Sequence, residues 1–152
     1  MAWIGSTKAP TGCVFCSARD HGDDRKDLVL ERSEHAFLIL NAFPYASGHV
    51  MAVVNRHVGV LTEAEPRELT DMMRLVQRAI AALTVEYRAE GFNVGMNQGR
   101  AAGAGIEDHL HIHVVPRWNG DSNFVSVIGG TRVLPETLET TWERLTGRLG
   151  SG

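Results

Sequence analysis

The residues best suited to chemistry are three alternating histidines, in the run His109-Leu110-His111-Ile112-His113-Val114-Val115-Pro116-Arg117. Strict alternation of polar and apolar residues is the pattern of a strand with one buried face. On that reading all three imidazoles line one face, while Leu110, Ile112 and Val114 line the other. Alternate side chains of a strand sit roughly 6.5 Å apart, close enough for imidazoles to act on one substrate group or to share one metal. A neutral imidazole nitrogen is basic and unhindered, so such a row can attack phosphorus and split one displacement into two steps. The bland alternative is a strand whose polar face happens to use histidine, and the regular spacing speaks against it. A second candidate is Cys13-Val14-Phe15-Cys16. Cys-x-x-Cys by itself suits a redox pair, half of a zinc site or two buried thiols.

Positioning these residues requires elements that the hydrophobic pattern supplies. Residues 28–31 and 36–40 are short apolar runs around Arg32-Ser33-Glu34, which reads as a hairpin. A loop with Pro44, Ser47 and Gly48 leads into an aliphatic strand at 49–54. From about 63 to 89 the period becomes helical, with Leu69, Met72, Met73, Val76, Ile80, Leu83 and Tyr87 on one stripe. Thr62 with Glu65 suggests a capping box, Pro66 makes the start uncertain by a few residues, and Gly91 ends the helix. Strands at 92–97 and 109–117 flank a Gly- and Ala-rich connection, GRAAGAG, whose backbone can approach a ligand closely. An apolar run at 124–128 and a last helix from about 135 to 148 complete the chain. Residues 1–12, with Trp3, read as an irregular lead-in, 18–26 as a loop or short helical turn, and Phe15 as a plug into the core. The expectation is one α+β domain over 1–152: an antiparallel sheet of about five strands, one long helix on a face of it, and a C-terminal helix.

Composition narrows the function. A chain of 152 residues, 43% hydrophobic and 22% charged, is long enough and apolar enough to build one globular core. The net charge of −3 gives no field that draws nucleic acid or an acidic membrane, so any phosphate must be caught locally by His, Arg and backbone amides. No apolar run has the length of a membrane span and no signal-peptide pattern opens the chain. Two cysteines do not make a secreted disulfide framework, so the expected compartment is the cytoplasm.

The row HLHIHVV resembles the signature of the histidine triad (HIT) superfamily of nucleotide hydrolases and transferases. FNVGMNQG at 92–99, LNAFPYASGHVMAVVNRH at 40–57 and CVFC at 13–16 extend the resemblance, and PRWNGDSNF at 116–124 is similar to the branch with diadenosine tetraphosphate phosphorylases. The match runs over nearly the whole chain, from about Cys13 to Arg148. The resemblance implies a HIT-like fold and cleavage at an α-phosphate of dinucleoside polyphosphates, through a nucleotidyl-histidine intermediate on His111. It makes His113 a donor to the phosphate oxygens or the leaving group, and Asn97 a phosphate-side residue; a turn residue before Gly99 is the plain alternative for Asn97. Family members usually carry a Ser, Thr or Gln donor just before the triad. Here the stretch is Ala104-Gly105-Ile106, so backbone amides of Gly103 and Gly105 are the candidates to stand in.

The same resemblance implies a structural zinc held by Cys13, Cys16, His57 and His109, a closed Cys₂His₂ set. Nothing around Cys13 reads as a thioredoxin-like helix start, which turns the expectation away from a redox role. His49 is the decoy ligand, expected to pack or bond internally, and His21 and His35 are expected in solvent. Asn41 would bind the ribose hydroxyls, with Leu38, Phe43 and Val54 around the base. Arg117 is a candidate for polyphosphate, and Trp118 for a second base or an interface. A homodimer through the 62–89 helix and the 92–97 strand is implied, with Met72 and Met73 suited to the contact. Three functions compete: hydrolysis, phosphorolysis with inorganic phosphate, and a non-catalytic nucleotide- or zinc-binding module.

Overall fold

The computed structural model describes residues 12–122, 128 and 134–151. Trp3 with the rest of 1–11, and all of the apolar run at 124–128 except Ile128, lie outside the described residues. The elements are α1 (Val14–His21), α2 (Asp24–Asp27), β1 (Val29–Arg32), β2 (Ala36–Leu40), β3 (Val50–Val54), α3 (Pro66–Tyr87), β4 (Gly91–Gly95), β5 (His111–Arg117) and α4 (Leu138–Leu149). The five strands form one antiparallel sheet in the order β1-β2-β3-β5-β4. Short connections force β1, β2 and β3 to be consecutive and antiparallel. The longer passage through α3 lets β4 take the edge, and β5 fills the gap between β3 and β4.

Period-2 alternation sorts the side chains onto two faces. Ala36, Leu38, Leu40, Val50, Ala52, Val54, Ile112 and Val114 point to one, where Met72, Leu75, Val76, Ala79 and Leu83 of α3 cover them. Phe37, Ile39, Met51 and Val53 point to the other, which Phe15 and Ala18 of α1 cover. The apolar stripe of α3 is therefore rotated from the expected one. Met72 is fully buried within the chain's own core, whereas Met73 is half exposed because one helical step carries it off the sheet-facing side.

Helix ends also moved. Glu65 and Glu68, not Thr62 and Glu65, form the capping box, and Pro66 occupies the first helical position, where its missing amide costs nothing. Thr62 lies in a short 3₁₀ turn, Leu61–Glu63. The carboxylate of Glu68 reaches back to the Glu65 amide at 2.8 Å and meets Arg56 at 2.8 and 2.9 Å, which holds its pKa down at about 2. Arg88, in the left-handed region at φ 51°, caps the C-terminus, and Gly91 opens β4 instead of ending the helix. The last helix begins at Leu138, where Thr137 accepts the Thr140 amide as its cap. Residues 18–26, read as a loop or short turn, continue α1 to His21 and form α2. No helix of the described residues is long and apolar enough to cross a membrane.

Gly48 ends the turn before β3 at φ +81°, and a Cβ there would lie 2.6 Å from Cδ2 of the fully buried Leu83. Both the backbone conformation and the packed neighbour exclude a side chain. Gly48→Ala is expected to lower the unfolding free energy by about 1–3 kcal/mol, measured by urea unfolding. An unchanged midpoint would show that this turn is not under that constraint.

Candidate active site and metal centre

The three histidines do not share one strand face. β5 starts at His111, and His109 precedes it in the passage from the 97–108 loop. The ring of His109 is buried and turned toward α1, with Nε2–H donating to the Val54 carbonyl at 2.6 Å. His111 and His113 remain side by side on the α1 face, ring centroids 4.9 Å apart at 71°. The departure from strand geometry at His109 is what separates its ring from the other two.

His111 Nδ1–H donates to the carbonyl of His109 at 2.8 Å. That bond fixes the tautomer and leaves Nε2 with its lone pair. Burial lowers the pKa of His111, and the ring of Phe15, 5.0 Å away, supplies part of that burial. A buried imidazole held neutral, with one nitrogen anchored and the other basic, is an oriented nucleophile.

His113 is oriented by a different chain of bonds. The Tyr45 amide donates to His49 Nδ1 at 3.1 Å, so in a neutral ring His49 carries its proton on Nε2. That Nε2 lies 2.9 Å from His113 Nδ1 and donates to it. His113 is thereby left with its proton on Nε2, as a donor. Burial, helped by neighbouring His111, brings the His113 pKa down to about 4. His49 does bond internally, as expected, but to a triad histidine, a role the sequence reading missed. The signal was available: in β3 the period of two puts His49, Met51 and Val53 on one face, and Met51 and Val53 pair with His113 and His111.

A second cluster adjoins the first. Cys13, Cys16, His57 and His109 bring one ligand atom each to within 4.8 Å of one another. Cys13 Sγ lies 3.3 Å and Cys16 Sγ 3.6 Å from His109 Nδ1, and Cys16 Sγ lies 3.4 Å from His57 Nδ1. A tetrahedral ion with metal–sulfur and metal–nitrogen bonds of about 2.3 and 2.0 Å separates S and N ligands by about 3.5 Å, so the donors fit. The bond from His109 Nε2–H to Val54 fixes Nδ1 as the ligand atom, the usual support for a metal-bound histidine. One sequence expectation fails here: Cys13 is the N-cap of α1 and Cys16 sits in its first turn, so the pair does open a helix.

The remaining candidates separate. β4 ends at Gly95, so Asn97 falls beyond the strand expected at 92–97, and its Nδ2 donates to the Gly103 carbonyl at 3.5 Å. Gly103 adopts φ +83° after a 3₁₀ turn, Arg100–Ala102, and Gly105 is exposed in the same loop. Asn41 Oδ1 accepts the Phe43 amide at 2.9 Å, and its Nδ2 lies 3.4 Å from both ring nitrogens of His49. Phe43 is 62% exposed. Leu38 and Val54 are corrected: both are fully buried under α3, on the face opposite His111, because residues one step along a strand point the other way. Phe37 and Ile39 occupy the triad side instead. Arg117 is not brought to the histidines: it lies roughly 13 Å along the strand from His113 and is bound to Asp121 and Asn93. Trp118 Nε1–H donates to the Tyr87 carbonyl at 3.1 Å and packs at the end of α3. His21 pairs with Asp27, and His35, expected in solvent, is half-buried.

The HIT domain pattern matches residues 23–120, and the chain belongs to the HIT family. A relative from Mycobacterium tuberculosis named AP-4-A phosphorylase is 42% identical over 118 residues, 78% of this chain and 60% of that protein. The chain thus spans well under two thirds of that relative's length. An uncharacterized 16.1 kDa HIT-like protein of Mycoplasma pneumoniae is 28% identical over 91% of this chain and 92% of its own. Among solved structures, a Zn-bound histidine triad family protein from Mycobacterium smegmatis superposes with a TM-score of 0.74 at 28% identity, covering 92% of this chain and 94% of that one.

Because the folded state holds His113 neutral down to about pH 4 while an unfolded imidazole titrates near 6.5, the unfolded chain binds more protons between those values. Stability is therefore expected to be flat above about pH 7 and to fall as the pH drops from about 6.5 toward 4. In His113→Gln the same fall should be shallower. Thermal melting across that range checks it; parallel curves for the two proteins would overturn the assignment.

Proposed function

We propose that this chain is a nucleotide hydrolase or transferase that cleaves at an α-phosphate of dinucleoside polyphosphates, with His111 as nucleophile. The observation that carries this reading is the His111 Nδ1–H bond to the His109 carbonyl on a buried, neutral ring. Nε2 attacks the α-phosphorus, the new N–P bond forms, and the bond from phosphorus to the leaving phosphate oxygen breaks. The ring becomes cationic, and the His109 carbonyl, already accepting from Nδ1, stabilises that charge. His113 Nε2–H donates to the departing oxygen, the role for which the His49 chain presets it. With no hydroxyl or amide side chain at Ala104-Gly105-Ile106, His113 is the side-chain donor, and the Gly103 and Gly105 amides supply further hydrogen bonds. Asn97, bonded to the Gly103 carbonyl in the loop before the triad, takes the phosphate side, and Asn41 with Phe43 takes the nucleoside side.

In the second step water or inorganic phosphate displaces the nucleotide from His111. The relative named AP-4-A phosphorylase favours phosphate as the acceptor. The metal of the Cys13, Cys16, His57 and His109 cluster is read as zinc, by its donor set and the Zn-bound relative. When bound, zinc would cross-link α1 to His57 and to His109, two residues before β5; four protein ligands leave no position for substrate. The β4 edge, with Val94 exposed, and the exposed Met73 and Val85 of α3 support a homodimer through these elements. The cytoplasm, where free thiols stay reduced, is the compartment this reading assumes.

Incubation with diadenosine tetraphosphate tests the chemistry: ATP with AMP marks hydrolysis, ATP with ADP in the presence of phosphate marks phosphorolysis, and no product overturns the enzymatic reading. His111→Asn is expected to lose at least about 10³-fold in turnover while still binding nucleotide. His113→Ala should lose about 10²–10³-fold, and a tenth of wild-type activity in His111→Asn would refute the nucleophile. Native mass spectrometry reads the assembly in one measurement. Two chains with two zinc ions are expected; one chain refutes the dimer, and a metal-free protein refutes the zinc.

A further inference from the structure

The pair that opens α1 carries a second chemistry. Cys13 and Cys16 are three residues apart on one helical turn, which sets their Cα atoms about 5 Å apart, inside the range a disulfide spans. Their sulfurs are already within 4.8 Å of each other. Both residues are only partly buried and His57, beside them, is exposed, so a small oxidant reaches the sulfurs from solvent. The helix does not depend on the cluster alone. Phe15 and Ala18 are packed in the core under the sheet, and Arg32 donates to the Ala18 and Arg19 carbonyls at 3.0 and 2.9 Å, closing the other end of α1. His109 likewise keeps its bond to Val54 whatever happens at Nδ1. The frame that holds the two sulfurs together therefore persists without the ion.

We propose that Cys13 and Cys16 are a redox-active pair that exchanges the bound metal for an intramolecular disulfide. The inference rests on the metal reading above and extends it to the state after oxidation. One thiolate attacks hydrogen peroxide, giving a sulfenic acid and hydroxide. The second thiolate attacks that sulfur and expels hydroxide, forming the S–S bond. Two electrons pass from the sulfur pair to one peroxide, and the hydroxides leave as two waters once protonated. A disulfide sulfur is no longer a thiolate ligand, so two of the four donors are lost and the ion departs from His57 and His109. A thiol reductant with added zinc reverses the sequence.

The chain has no other cysteine, which makes the experiment unambiguous. The purified protein is first assayed for metal, then titrated with hydrogen peroxide in the presence of a chromogenic zinc indicator. The expected result is one zinc released per chain as two thiols disappear, with a joined 13–16 peptide two hydrogens lighter. Dithiothreitol with zinc should restore the original mass and metal content. Release of metal accompanied by sulfinic or sulfonic acids, thiol loss with metal retained, or disulfide between chains would overturn the pair. Failure of the metal reading appears separately, as absence of zinc before any peroxide is added. His57→Ala supplies a control that keeps both thiols: it should form the same disulfide at lower peroxide, because its metal is held by fewer ligands. Unchanged sensitivity in that variant would also count against exchange.

Discussion

The hydrogen bond from His111 Nδ1–H to the carbonyl of His109 is the constraint on which this site depends. It joins residues two apart in sequence, so its geometry is set by the local backbone and by whatever holds His109. Three independent tethers do so. The ring gives Nε2–H to Val54, presents Nδ1 to the Cys13 and Cys16 sulfurs, and packs edge-on against Phe15 at 5.4 Å. The neighbouring Leu110 amide is held by Val58 at 2.7 Å. A displacement of His109 would turn the His111 ring or free its tautomer.

Around that bond the sheet divides the labour between its faces. The α3 face carries the larger share of the aliphatic core, and its well-packed residues make the sheet rigid. The α1 face carries the chemistry: His111, His113 and His49 there share space with Phe15, Phe37, Met51 and Val53. Burial among apolar neighbours lowers the pKa of His111 and of His113 and so favours their neutral form. The desolvation is tolerable because each buried ring nitrogen that must be satisfied has a partner: the His109 carbonyl, the Val54 carbonyl, or the Tyr45–His49 chain.

The Cys13, Cys16, His57 and His109 cluster and the triad are therefore parts of one structure. His109 is shared between them, and Phe15 of α1 packs against both His109 and His111. The cluster lies at the surface end of this assembly and His111 at its buried end. A change at Cys13 or Cys16 reaches the His111 ring through His109 and Phe15, a short and physically traceable coupling.

The sequence by itself determined the five strands, the long helix and the residue types offered for chemistry, because these follow from local periodicity and from the side chains themselves. Alternation around Ile112 and Val114 put His111 and His113 on one face correctly, since a strand's period leaves no other choice. It could not foresee that His109 leaves the strand, because that is decided by partners 55 and 96 residues away in sequence, Val54 and Cys13. Leu38 and Val54 were misassigned for a related reason: an aliphatic strand with both faces buried has no polar residue to mark which face meets α3. The capping box shifted from Thr62 to Glu65 because Arg56, distant from any helix signal, stabilises the Glu68 carboxylate. The part His49 plays with His113 rests on contact between strands that only the folded sheet brings together. Residue types and periods are local properties and can be read along the chain; a proton's position on a ring nitrogen is set by long-range neighbours, and only the tertiary structure supplies them.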